Sequence, residues 1–448
     1  MPPPSASKGQ QLHPLARELD ERLERAAPPV REMLSPLGRR LYFPTGGILA
    51  QSAEARQRAG VANATIGIAT EAGSPMFLPS LAASLSGIDP ADAFDYAPPA
   101  GRPALRERWR EKLLAENPSL AGKAFSLPLV TSAITHGLML AGDLFVSPGD
   151  HILLPDKLWG NYRLTFETRL DAKIVTFPFY AGSGFATEAF AAALEEEASR
   201  RDKLVVLLNF PNNPTGYVPT ANEGEAIVRA LERVAAGGTR LVVLIDDAYF
   251  GLFYHLGGES MTESLFGALS NLHANLLAVK LDGATKELFV WGLRCGFITF
   301  GPGRADSAAE VAEVLEAKVK GAIRSAISNV PMLSQTLVER ALASETIASE
   351  REGKRELLRL RAERVHQVAT APRFRESWEV YPFNSGYFMC VKVNGVDAGQ
   401  VRAHLLDAYG IGLIATSGSD LRVAFSCLEL EQVEPLFDAL HKAIQELV

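Results

Sequence analysis

Four short segments carry side chains able to do chemistry, and each sits at or beside an apolar run that reads as a buried strand. NFPNNPTG, Asn209 to Gly216, follows the run LVVLL, and DDAYFGLF, Asp246 to Phe253, follows LVVLI. In ATKELFVWGLRCG, Ala284 to Gly296, Arg294 stands eight positions beyond Lys286; LRVAF, Leu421 to Phe425, carries Arg422. A lysine amine condenses with carbonyl carbons, a buried carboxylate such as Asp246 or its neighbour Asp247 holds a cationic nitrogen, and arginine offers a planar fork of donors to phosphate or carboxylate. Each piece also has a plainer meaning: a solvated lysine, a proline-rich turn, a surface arginine on a strand. What joins them is placement, because open α/β sheets bind ligands at the carboxyl ends of their strands.

The elements that must position these residues follow from hydrophobic patterning. From about Pro103 to Gly301 helical stretches alternate with short β-branched runs, which predicts a sheet wrapped on both faces by helices. The expected strands are Leu127 to Thr131, His151 to Leu154, Lys173 to Phe177, Leu204 to Leu208, Leu241 to Ile245, Leu276 to Leu281 and Gly296 to Phe300. A long helical region, Glu310 to Leu357, is expected to break near Asn329 to Pro331, where proline cannot continue a helix. Beyond it, strands at Trp378 to Val380, Tyr387 to Val393, Ile411 to Ile414 and Leu421 to Phe425 alternate with helices at Gly399 to Tyr409 and Leu430 to Val448, as in a compact α+β unit. Near the start, LARELDERLERA has leucines at helical spacing. The expected division is an arm and helix over 1–62 that belongs to the smaller domain, a large domain over 63–325, and a small C-terminal α+β domain over 326–448.

Composition narrows the classes of function. The chain has 448 residues, 47% hydrophobic and 22% charged, with a formal charge of −7, and no stripe of Lys and Arg of the kind a nucleic acid needs. Its apolar runs are far shorter than the roughly 20 residues of a membrane span, and the opening MPPPSASKGQ lacks the apolar core of a secretory signal, so a cytoplasmic protein is expected. Cys295, Cys390 and Cys427 are scattered singly and the eight histidines lack ligand spacing, which leaves no expected metal site or disulfide framework.

The four segments, in this order, resemble the aspartate aminotransferase family of fold type I enzymes, which use pyridoxal 5'-phosphate (PLP). The resemblance also takes in NATIGIATEAGSPMFLPSL (Asn63 to Leu81), YAPPAG (Tyr96 to Gly101) and WGN (Trp159 to Asn161), leaving only about the first 40 to 60 residues outside it. It implies a large domain with a mainly parallel seven-stranded sheet flanked by helices, plus a smaller α+β domain. It implies that Lys286 holds the cofactor as a Schiff base, and that Asp246 rather than Asp247 faces the pyridine nitrogen and keeps it protonated. Tyr249 and Asn213 would hydrogen-bond the phenolic oxygen, and Trp159 would stack on the ring. The phosphate would rest on the amides of Ala133 and Ile134, the Thr135 hydroxyl and Arg294, with Tyr96 reaching in from the second subunit of a homodimer.

Two departures from the family stand out. Ala133 and Ile134 occupy positions where relatives usually carry glycine or serine, and Gly283 replaces a serine or threonine that touches the phosphate. For the substrate, Arg422 matches the arginine that grips an α-carboxylate, so an α-amino acid and a 2-oxo acid such as 2-oxoglutarate are implied. Arg324, in AIRSAISNVP, matches an arginine that reads a second carboxylate, although relatives using aromatic acids can keep it and move it aside. Trp159 and Asn213 would also border the substrate. The same scaffold hosts β-lyases and other amino-acid chemistries. A PLP-sensing regulator is the third reading, against which the segment before Asn63 is short for a winged helix and lacks a basic recognition helix.

Overall fold

A computed structural model of the chain describes residues 12–44 and 47–448; the Pro-rich opening discussed above lies outside the described residues. Seven strands form one sheet: β1 (Leu129–Thr131), β2 (His151–Pro155), β3 (Lys173–Phe177), β4 (Lys203–Asn209), β5 (Arg240–Asp246), β6 (Leu276–Gly283) and β7 (Gly296–Gly301), in the order β1-β7-β6-β5-β4-β2-β3. Neighbours pair in parallel except at β7, which runs antiparallel to both β6 and β1. Every strand expected from the apolar runs is present, with ends shifted by no more than two residues. The reason is plain in β4 and β5: KLVVLLN and RLVVLID are buried along nearly their whole length, and a strand covered on both faces needs a continuous rather than an alternating apolar run.

The helices that matter for the site are α1 (Pro14–Ala26), α2 (Gly47–Arg58), α3 (Ala133–Phe145), α4 (Ala221–Ala236), α5 (Ala308–Ala326), α6 (Met332–Ala343), α7 (Ile347–Ala369), α8 (Ala398–Tyr409) and α9 (Leu430–Gln445). α1 matches the expected stretch, and α4 opens on a reciprocal capping box between Thr220 and Glu223. The expected region Glu310 to Leu357 is corrected to three helices. The chain breaks at Pro331 as anticipated, then again at Ser344–Thr346, where the Ser344 hydroxyl accepts from the Thr346 amide at 3.4 Å and competes with helical bonding.

A second, antiparallel sheet is built from β8 (Trp378–Val380), β9 (Phe388–Val393), β10 (Ile414–Ala415) and β11 (Asp420–Ala424), in the order β8-β9-β11-β10. The expected strand Ile411 to Ile414 is also corrected: Ile411–Gly412 leaves this sheet to pair in parallel with Ala62–Asn63, and only Ile414–Ala415 joins β11. Gly412 permits the switch, since a β-carbon there would lie 2.6 Å from the Ala55 methyl of α2. Among the described residues no helix is long and apolar enough to cross a membrane.

Candidate active site

A cavity of about 350 Å³ opens where the carboxyl ends of β1, β4 and β5 and the turn after β6 meet the second sheet. Asp246 closes β5 and Asp247 follows it, and because successive side chains of an extended chain point to opposite faces, only one of them lines this cavity. That one is Asp246. It accepts hydrogen bonds from the Tyr162 hydroxyl at 2.7 Å and the Ala248 amide at 3.1 Å. Burial pushes its pKa up, while Tyr162 and the nearby Lys286 charge hold it down. Asp247 turns the other way, into a buried ion pair with Lys280, and accepts from Ser264 Oγ at 2.6 Å.

Lys286 sits in the short helix Ala284–Glu287 that follows β6, with its ammonium 4.9 Å from the centre of the Tyr249 ring. Burial draws the amine's pKa down to about 8; Asp246 opposes the shift and the Arg294 charge adds to it. Tyr249 is buried edge-on against Tyr387 and Phe388. Asn209 orders the loop after β4: its side chain donates to the Asp246 carbonyl at 2.8 Å and accepts from the Asn213 amide at 2.8 Å.

Arg422, from β11, is 2% exposed and lies 4.2 Å over the Phe388 ring. It donates to the Asn213 side-chain oxygen at 3.1 Å and the Thr65 carbonyl at 2.7 Å, and its Nε has no partner among the described residues. A guanidinium buried without a carboxylate beside it is a costly arrangement that an incoming anion relieves. Burial accordingly lowers its pKa.

On the opposite wall the turn from β1 into α3 places Ala133, Ile134 and Thr135 along the cavity, with Trp159 edge-on to Tyr162 at 5.6 Å. Ala133 adopts φ 61°, the left-handed region in which glycine is at ease. Arg294 lines the mouth with its own left-handed φ of 51° and donates to the Trp291 carbonyl at 3.1 Å. Gly283 pairs with Gly296 across β6 and β7, and a β-carbon on it would lie 2.8 Å from the Gly296 Cα. Close strand approach therefore excludes the hydroxyl residue that the family resemblance leads one to look for there.

Lys286, Asp246, Tyr249, Asn213, Ala133, Ile134, Thr135, Trp159, Arg294 and Arg422 are thus brought together around one cavity, whereas Tyr96 and Arg324 are not. Tyr96 is 83% exposed, and Arg324 lies on the exposed face of α5, donating to Ser328 Oγ at 2.6 Å. Tyr162, Thr285 and the α2 residues Ile48, Leu49, Ser52 and Arg56 also line the cavity and were not anticipated. Tyr162 and Thr285 are adjacent to recognised motifs, three residues past Trp159 and one before Lys286, which is the signal that would have found them. Among the described residues no group of three or more His, Cys, Asp or Glu is placed to hold a metal.

The family model for aminotransferase class I and II matches residues 80–440. The chain belongs to the class I and II aminotransferases. A bifunctional aspartate aminotransferase and glutamate/aspartate-prephenate aminotransferase of Petunia hybrida is 27% identical over 46% of this chain and 40% of its own length. An aspartate aminotransferase of Pinus pinaster is 30% identical over 56% of this chain and 47% of its own. The chain thus spans less than half the length of these curated relatives. The crystal structure of an aminotransferase from Anaerococcus prevotii superposes with a TM-score of 0.80 at 22% identity, covering 92% of this chain and 98% of that one, and establishes likeness of fold. The chain has the fold type I architecture, and its family works with PLP. The cavity fits that cofactor: Thr285 Oγ1, Trp291 Nε1 and Arg422 Nε are buried donors without a partner among the described residues, set among an amine, a carboxylate and a helix start.

Proposed function

We propose that the chain is a PLP-dependent aminotransferase that moves the amino group of an L-α-amino acid, aspartate, glutamate or an aromatic one, to a 2-oxo acid such as 2-oxoglutarate. The observation that carries the reading is the pairing of a buried amine with its pKa near 8 and a buried carboxylate on one cavity, with an uncompensated guanidinium beside them. When bound, PLP supplies an electrophilic carbonyl carbon and an electron-withdrawing ring. Lys286 is the group that anchors that carbon, and its lowered pKa lets the freed amine take and return a proton near neutral pH. Asp246, held by Tyr162, keeps a proton on the ring nitrogen. Tyr249 and Asn213 donate toward the ring oxygen.

The amides at Ala133 and Ile134, the Thr135 hydroxyl and Arg294 form the phosphate seat, and the unpartnered Thr285 hydroxyl offers a donor where Gly283 has none. Arg422 orients the substrate by its carboxylate, and Trp159 covers the ring and keeps water off it. Tyr96 and Phe94, 83% and 86% exposed on one short segment, support a homodimer in which Tyr96 reaches a partner's phosphate seat. Cleavage of the chain into an arm over 1–62, a large domain over 63–325 and a small one over 326–448 agrees with the two sheets, and unpaired Cys295, Cys390 and Cys427 agree with a reducing, cytoplasmic setting.

The test is the visible spectrum of the purified holoprotein titrated with amino acids. Bleaching by an amino acid and recovery on adding 2-oxoglutarate is the expected result, and both should vanish in Lys286→Ala. Keto acid and ammonia released over many turnovers without an acceptor would mean a lyase. Unchanged turnover and spectrum in Lys286→Ala would overturn the reading.

A further inference from the structure

The loop that carries Trp159 and the strand that carries Arg422 are joined by an ion pair outside the cavity. Lys157, in the loop after β2 and two residues before Trp159, donates to Asp420 Oδ2 at 2.5 Å. Asp420 opens β11 two residues before Arg422, and side chains two apart on a strand share a face, so the carboxylate and the guanidinium stand on one face of the second sheet. The carboxylate is buried, and its other oxygen accepts from the Tyr381 and Ser419 hydroxyls, each at 3.0 Å. Burial opposes both charges, and the bond between them prevails: the Asp420 carboxyl lies below its usual range and the Lys157 amine above its own.

The contacts around this pair close a ring. The Asn212 side chain donates to the Lys157 carbonyl at 3.2 Å, and its neighbour Asn213 accepts from Arg422 at 3.1 Å. Three segments, the loop after β2, the turn after β4 and β11, thus hold one another, and each presents a residue to the cavity: Trp159, Asn213 and Arg422. Lys157 and Asp420 do not line it. Tyr381, just past β8, braces the pair: its ring lies 4.9 Å from the Lys157 ammonium and stacks at 5.3 Å on Tyr180, three residues past β3. An exposed ion pair contributes little, but this one has a buried carboxylate and bridges the elements of the two sheets. We propose that Lys157 and Asp420 are positioning residues, a latch that sets the separation between Trp159 and Arg422 and so the seating of the substrate's carboxylate. The proposal rests on the aminotransferase reading and adds to it two residues that act on the substrate through others. Of the two groups that accept from Arg422, Asn213 and the Thr65 carbonyl, the first belongs to the ring, so opening the ring at Lys157 loosens the guanidinium without removing any group that touches cofactor or substrate.

The experiment uses the holoenzyme and the variants Lys157→Met, Lys157→Arg, Asp420→Asn and the double variant Lys157→Met/Asp420→Asn, which leaves no buried charge unpaired. For L-aspartate, L-glutamate and L-phenylalanine, the concentration that half-bleaches bound PLP is measured together with KM, kcat and the melting midpoint. A guanidinium displaced by a fraction of an ångström is expected to raise KM and the half-bleaching concentration about 10-fold in Lys157→Met, with kcat falling no more than about threefold and the absorption of bound PLP unaltered. Lys157→Arg keeps the ion pair and should restore both values to within about threefold of wild type. Because the two residues act as one unit, the double variant should be no weaker than the weaker single variant. A lower melting midpoint with unchanged KM, a fall in kcat as large as the rise in KM, or losses that multiply in the double variant would each overturn the proposal and leave the aminotransferase reading intact. A wild-type spectrum that none of the three amino acids changes would overturn that reading and the proposal with it.

Discussion

Asp246 and Asp247 are adjacent in sequence and both buried, yet they should behave oppositely when each is changed to asparagine. Asp247 is ion-paired with Lys280, which is 0% exposed and whose other acidic neighbour is Asp282 at 3.5 Å. Removing one partner of a buried pair costs about 3–5 kcal/mol because the remaining charge stays uncompensated. Asp282 still offers part of the compensation, so about 3 kcal/mol applies. At roughly 2 °C per kcal/mol for a chain of this size, the melting midpoint of Asp247→Asn should fall by about 6 °C. Asp246→Asn keeps the shape and one acceptor oxygen for Tyr162 or the Ala248 amide, and removes a charge that burial already penalises. Its folding cost should stay under about 1 kcal/mol, while kcat/KM falls about 100- to 1000-fold through loss of a preorganised charge in a dry site. Thermal melts and steady-state kinetics on both variants read this out. A stable but inactive Asp247→Asn paired with an unstable, active Asp246→Asn would refute the assignment of the two carboxylates.

Three further outcomes follow from the same geometry. Ala133→Gly relieves a left-handed alanine, worth about 1–2 kcal/mol, against about 0.4–1 kcal/mol of added chain entropy in the unfolded state, so its denaturant midpoint should rise by an amount equivalent to about 0.5–1 kcal/mol. A lower midpoint would show that the turn is unstrained. Gly283→Ser restores the residue type that relatives carry but drives a β-carbon into the Gly296 Cα; it should destabilise by about 1–3 kcal/mol, and tighter PLP binding at unchanged stability would contradict this. Because burial lowers Lys286 from its ordinary 10.5 to about 8, the unfolded chain binds the extra proton between those values, and apoprotein stability should rise with pH across that window. The rate of PLP uptake should climb with a midpoint near pH 8, moving upward in Arg294→Met; a rate flat from pH 7 to 9 would remove the lowered amine from the account.

The sheet was legible because its strands are buried on both faces, so that unbroken runs such as LVVLL and LVVLI have no competing helical period. Of the candidate site residues, Asp246 was legible because it closes such a run, whereas Lys286, Tyr249, Asn213 and Arg422 were legible through the order of the motifs that carry them. α2 was not, since the face it buries carries Gln51 and Glu54, whose role is hydrogen bonding to β10 and α8 rather than apolar burial, and hydrophobic patterning does not register such a face. The division of Ile411 to Ile414 was hidden for a related reason: both halves are apolar and buried, and only the approach of Ala55 to Gly412 shows that the chain changes partner there. Arg324 and Tyr96 illustrate the limit of position matching, which assigns a residue to a site without fixing where its side chain lies: Arg324 is engaged with Ser328 and Tyr96 is exposed, both away from this cavity.

The two departures in the phosphate region turn out to be one packing arrangement. A β-carbon on Gly296 would lie 2.8 Å from the Ala133 Cα, and one on Gly283 would lie 2.8 Å from the Gly296 Cα, so the turn before α3, β7 and β6 are stacked backbone on backbone. Strands held that closely leave no room for a hydroxyl at 283, and the turn takes a left-handed bend at an alanine to meet them. Two residues on, Thr285 places a buried, unpartnered hydroxyl on the same cavity. In the function proposed above, Thr285→Val should weaken PLP retention about 10-fold, and the effect should persist in the Ala133→Gly background, because the hydroxyl and the turn offer separate donors to the cavity; a loss that disappears in that background would refute this.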